Sequence, residues 1–211
     1  MISKRSHVRR TAAVLAAGAA AVVLAACGAD ADSSTGHKGH GTTSAAPSAS
    51  ASAPQGDHNA ADVAFAQGMI PHHRQAVEMA DLAPTRAESA TVKKLAADIK
   101  KAQDPEIKTL SGWLTSWREQ VPAAGAMDHS AHGAGGGMMT MEQMDQLKNA
   151  SGKAFDTAFM ELMIKHHEGA VEMAKTEQAT GAFPDAKTMA QAIITSQSAE
   201  IAQMNKLLGK S

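Results

Sequence analysis

One segment occurs twice in this chain, and it constrains the fold more than any other feature. Residues 62–80 read DVAFAQGMIPHHRQAVEMA and residues 156–174 read DTAFMELMIKHHEGAVEMA. His72 and His166 are separated by 94 positions, and that offset holds without a gap from Asp62 to Leu114. It pairs Leu95 with Met189, Ala96 with Ala190, Gln103 with Gln197, Glu106 with Glu200 and Ile107 with Ile201. The apolar residues recur at helical period: Asp62, Phe65, Met69, His72, His73, Ala76, Met79 and Ala80 share one face. On the following helix Leu95, Ile99, Ala102, Glu106, Leu110 and Leu114 line another. The repeated unit is therefore a helical hairpin of about 50 to 55 residues. A single hairpin cannot bury both of its stripes, and packing two together predicts an all-α four-helix bundle.

The spacing predicts helices from Ala60 to Leu82, Thr91 to Trp117, Lys153 to Thr180 and Asp185 to Leu208. A short helix follows Thr140 and breaks near Ser151-Gly152. Asn59 is placed to cap the first helix. Pro71 and Pro105 should bend their helices, Pro122 marks a stop, and Gly209 ends the last helix. The folded part is expected over 59–211: one repeat at 59–120, a Met/His/Gly-rich loop at 121–140, and the second repeat at 141–211. Residues 27–58 are rich in Ser, Ala, Gly, Thr and Pro. They bury too little apolar surface to fold, and read as a flexible tether.

The first 26 residues read as an export leader. Lys4, Arg5, Arg9 and Arg10 precede an apolar run from Thr11 to Ala26 that is too short to span a membrane comfortably. The run ends in Leu24-Ala25-Ala26-Cys27, which resembles the lipobox of bacterial lipoproteins. That resemblance implies cleavage before Cys27, lipidation of its thiol and anchoring to the membrane at the cell surface or in the periplasm. Arg9-Arg10 leaves Sec and twin-arginine export both open. Without the leader the chain keeps 16 Lys and Arg against 21 Asp and Glu. This acidic balance, with no Tyr and few other aromatic residues, excludes a nucleic-acid partner.

Cys27 is the only cysteine, so a lipidated chain has no thiol for a disulfide or a thiolate metal site. A soft metal would then have to be held by thioether and imidazole, and the chain carries 13 Met and 10 His. Met69, His72, His73 and Met79 form one candidate ligand set, and Met163, His166, His167 and Met173 the other. Met at i with His at i+3 and i+4 points two or three ligands the same way, and thioether favours Cu(I) over harder ions. As core fillers the methionines need no metal, but four histidines on an apolar-leaning face would need partners for several ring nitrogens. Glu106 and Glu200, with Gln103 and Gln197 nearby, orient histidine N–H groups, ligate directly, or reach water at the rim. Asp62 and Asp156 share the histidine face two to three turns upstream. Helix N-terminal placement accounts for them as well as a ligand role does. Glu78 and Glu172 face away. Met127, His129, His132, Met138, Met139 and Met141 in the loop, with His37 and His40 in the tether, could gather a soft cation weakly.

The motif D-x-x-F-x-x-x-M-I-x-H-H-x-x-A-V-x-M-A, followed by Q-x-x-E-I on the next helix, resembles the domain-of-unknown-function 305 family. The resemblance spans about Asn59 to Leu208. It implies a ferritin-like four-helix bundle and, for some members, copper binding and resistance through the matching Met and His positions. Lys165 departs from the common MIPHH form that Pro71 follows. The expected function is an extracytoplasmic copper-binding lipoprotein that buffers or delivers Cu(I), with a copper-handling protein as partner and no catalytic residue. The alternatives are a di-metal oxidase using iron or manganese on His72, His73, His166, His167, Glu106 and Glu200, and a bundle with no metal role. Against the oxidase, Glu-x-x-His is missing from the repeat helices: Glu161 precedes His166 by five positions. A phosphotransfer bundle conflicts with the export leader.

Overall fold

The computed structural model describes residues 57–124 and 136–210. Five helices follow in order: α1 (Ala60–Arg86), α2 (Ala90–Trp117), α3 (Met141–Asn149), α4 (Gly152–Thr180) and α5 (Pro184–Leu207). α1 packs on α2, α4 on α5, and the two hairpins meet along α1 and α4. The fold is an all-α four-helix bundle, with short α3 leaning on α1 and α4. Among the described residues no helix is long and apolar enough to cross a membrane. Residues 1–56, with Cys27, His37 and His40, lie outside the described residues. So do Met127, His129 and His132.

The helix starts follow from local chemistry. The Asn59 side chain accepts from the N–H groups of Ala61 and Asp62 at 2.8 and 3.2 Å. The Asp62 carboxylate accepts from the Asn59 N–H in return at 2.6 Å, completing a capping box. Ser89 caps α2, and Thr140 and Gln143 form a second capping box on α3. Pro184 takes the first turn of α5, where a missing N–H costs nothing. α1 runs one turn beyond the expected Leu82, and continues through Pro71 and Pro84 without interruption. α2 likewise continues through Pro105. It ends on Arg118, which takes a left-handed conformation with φ of 63° so that Glu119 N–H reaches the Leu114 carbonyl at 2.8 Å.

The apolar core is in two parts. One joins Ala76, Met79, Leu95 and Ile99 to Phe155, Phe159, Met163 and Met204. The other joins Phe65, Met69, Ile70, Leu110 and Leu114 to Ala170, Ala174, Ala190 and Ile193. The early half of α1 thus shares a core with the late half of α4, so the two helices run antiparallel. Along all four long helices the residues between the two cores are polar: His72 and His73, Gln103 and Glu106, His166 and His167, Gln197 and Glu200.

Candidate metal centre

The antiparallel pairing of α1 and α4 brings the two His-His pairs to one level of the bundle. The rings of His72 and His166 lie with centroids 3.8 Å apart, tilted by 41°. All four histidines are buried, none more than 2% exposed, so bulk solvent does not reach their ring nitrogens. Those nitrogens are treated unequally. His73 Nε2 donates to Glu106 Oε2 at 2.7 Å. His167 Nε2 donates to Glu200 Oε2 at 2.6 Å. Each pair is separated by 33 positions, as the 94-residue offset requires. His72 Nε2 donates to the Gly136 carbonyl at 3.0 Å. His166 makes no hydrogen bond of ordinary geometry through either nitrogen, and Nδ1 of His73 and of His167 is also unpartnered.

The electrostatics follow from this burial. His166 is held well below the usual 6.5, first by burial and then by the neighbouring His72, His167 and His73 rings. It stays a neutral imidazole with a lone pair at neutral pH. Where Nε2 of a neutral ring is the donor, the lone pair sits on Nδ1. That is the state the Glu106 and Glu200 bonds impose on neutral His73 and His167. Gln103 and Gln197 are buried beside this layer, and their amide oxygens find no donor. Met69, Met79 and Met163 are fully buried in the two cores, and Met173 packs at the edge of the second.

Other expected site residues take different places. Met139 is buried in the first core, Met141 is exposed, and Met138 is intermediate. Met139 is therefore packed rather than displayed. Among the described residues no three His, Cys, Asp or Glu side chains gather as an ion-holding group. Glu106 and Glu200, two of the six residues of the di-metal alternative, each bond their own histidine. Glu78 and Glu172 are solvated in surface ion pairs with Lys148 and Lys175.

The sequence reading missed the roles of four residues. Asp62 and Asp156 are buried crossing clamps as well as charges near helix starts. Asp62 accepts from Ala182 and Phe183 N–H in the α4–α5 turn. Asp156 accepts from Glu88 and Ser89 N–H in the α1–α2 turn at 3.1 and 2.8 Å. Each repeat therefore ties down the other's hairpin turn. Burial alone would raise Asp62, but Glu177 and the N–H groups of Asn59, Phe183 and Ala182 hold it below 3.8. Glu177, which stands where the first repeat has Ala83, is buried beside Asp62 with no N–H or other donor on its oxygens. Its pKa is pushed up to about 8 by burial and then by Asp62. The fourth is Gln75, which bonds the Met139 backbone in both directions. Position 75 could have been flagged in sequence, because the second copy has Gly169 there.

A family model, domain of unknown function DUF305, matches residues 62–208. The chain belongs to the DUF305 family. No curated protein matches it. Among solved structures it is similar to a Streptomyces coelicolor protein described as a secreted DUF305 protein. The identity is 33%, covering 71% of this chain and 93% of that one, with a TM-score of 0.64. It is also similar to CopM in a Cu(II)-bound form, at 38% identity over 69% of this chain and 94% of that one, with a TM-score of 0.60. The Cu(I)-bound form of CopM matches at 35% identity over 69% and 94%, with a TM-score of 0.58.

Proposed function

We propose that this DUF305 protein is an extracytoplasmic copper-binding protein that buffers Cu(I) or hands it on. The observation that carries this reading is His166: a neutral, fully buried imidazole with no hydrogen bond of ordinary geometry on either nitrogen, its ring centroid 3.8 Å from that of a second histidine. A polar atom left without a partner costs about 1–3 kcal/mol in a folded core, and a soft cation is a partner that imidazole nitrogens and thioethers suit. His72, His73, His166 and His167 are the proposed ligands, with Met69, Met163, Met79 and Met173 as thioether donors. Glu106 and Glu200 orient His73 and His167, the usual arrangement around a metal-bound histidine. Copper is the cargo here, and no residue is catalytic. The copper-bound relatives support the choice of metal.

Cys27 is the proposed lipid attachment, and the Met/His segments outside the described residues, with Met138 and Met141, are the proposed weak capture sites. The mass of mature protein from the native host would show the diacylglycerol on Cys27. Competition between the purified protein and a Cu(I) chelator tests the site. The His72→Ala/His166→Ala protein should lose tight binding, and an unchanged affinity would sink the assignment.

A further inference from the structure

The segment 136–140 lies across the seam between α1 and α4. The Gly136 carbonyl accepts from His72 Nε2 at 3.0 Å. Three residues later the Met139 N–H donates to Gln75 Oε1 at 2.6 Å, and Gln75 Nε2 donates to the Met139 carbonyl at 2.9 Å. The Met139 side chain is itself buried. The approach to α4 is equally close. A Cβ on Gly169 would collide with the Gly136 carbonyl and stand 2.9 Å from Gly137 Cα. Gly137 has a φ of +76°, and a Cβ there would strike the Lys165 carbonyl.

Gln75 and Gly169 occupy equivalent positions of the repeated segment, 94 apart. A segment laid across the seam cannot meet both helices alike, and the two copies differ where it touches them. One copy grips the segment through a side chain, and the other removes a side chain to let it in. The same asymmetry reaches the histidines: His72 bonds the segment, and its equivalent His166 makes no bond of ordinary geometry to it.

We infer that residues 136–140 form a strap that closes the histidine layer, with Gln75 as its latch and Gly169 as its seat. Release of the strap is the step that admits a soft cation to His72 and His166. This rests on the reading of that layer as the binding site. Opening breaks the His72–Gly136 bond and both Gln75–Met139 bonds, and leaves the four long helices packed. It is a local event of the kind that precedes global unfolding.

The test uses the whole chain in two arms. In the metal-free protein, diethyl pyrocarbonate labelling of His72 and His166 is followed by mass spectrometry for wild type, Gln75→Ala and Gly169→Ala. Both variants should label about tenfold faster or more, while far-ultraviolet melting stays cooperative. Gln75→Glu, which keeps the acceptor for Met139 N–H and loses the donor, should fall between. Gly169→Ala is a strict test, because helix propensity alone would make it a tightening change. In the second arm Ag(I) is the probe. Association and dissociation should both quicken in the variants, with affinity changed far less than either rate. Labelling at the wild-type rate, with Met139 amide exchange accelerated, would overturn the proposal, since the strap would then be loose without covering anything. Faster labelling in a protein that binds no Ag(I) would instead remove the ion from the proposal and sink the metal reading, leaving only a cover.

Discussion

His73 and Glu106 meet at 2.7 Å across two helices, with the histidine fully buried and the glutamate at the rim. The carboxylate fixes which ring nitrogen carries the proton, and so which one can ligate. Glu106→Ala should weaken Cu(I) affinity about 10–100-fold with a smaller effect on folding, read from paired competition and denaturation titrations. Glu177 makes a different residue-scale prediction. Its pKa is raised to about 8 from 4.5. The native state therefore binds more protons than the unfolded chain between those values, and stability must fall as pH rises through that window. Below it both states are protonated and the penalty vanishes. Glu177→Gln should flatten the decline, gaining on the order of 2 kcal/mol at pH 9 in denaturant melts at pH 5, 7 and 9. Asp62 has the opposite sign. Its lowered pKa adds stability above the usual carboxylate range, which is lost as pH falls through its native value.

At the scale of elements, the clamps decide how the hairpins are held. Asp156 satisfies two N–H groups of the α1–α2 turn. Asp156→Ala should cost about 2–4 kcal/mol, because charged hydrogen bonds are lost and their donors are left without a partner. Asp156→Asn keeps one acceptor oxygen and should cost less. Urea denaturation of the three proteins ranks them. A result in which Asp156→Ala matches wild type would mean the turn is held by helix packing alone. The α5 start shows the same logic in reverse. Phe183 provides no side-chain cap, and Asp62 supplies the bonds from another helix.

For the whole molecule, a histidine layer between two apolar cores is costly without a ligand. His166→Leu removes poorly satisfied polar atoms from a buried site. It should raise the metal-free Tm, by roughly 2–4 °C for each kcal/mol gained, while reducing copper binding. Wild type should show the converse, with Cu(I) at about one hundred times its Kd adding about 2.7 kcal/mol. Calorimetry of both proteins with and without Cu(I) checks this pair of expectations. Much of this was legible in the chain. Period and a constant offset placed the four long helices within a few residues, because amphipathic stripes and caps are local chemistry. They also singled out His72, His73, His166 and His167, because four histidines on apolar faces conflict with simple burial. Three things depended on the tertiary structure. The antiparallel contact of α1 and α4 chose which histidines face each other. The crossing clamps chose partners 67 to 121 positions away for Asp62 and Asp156. The bonds of Gln75 to Met139 buried a methionine that a Gly-rich loop seemed to display. The sequence alone determined which faces must be buried and which groups would need partners there. Which partner each buried group received was decided only when the helices packed, since hydrogen bonds and ring contacts act over a few ångströms and ignore distance along the chain.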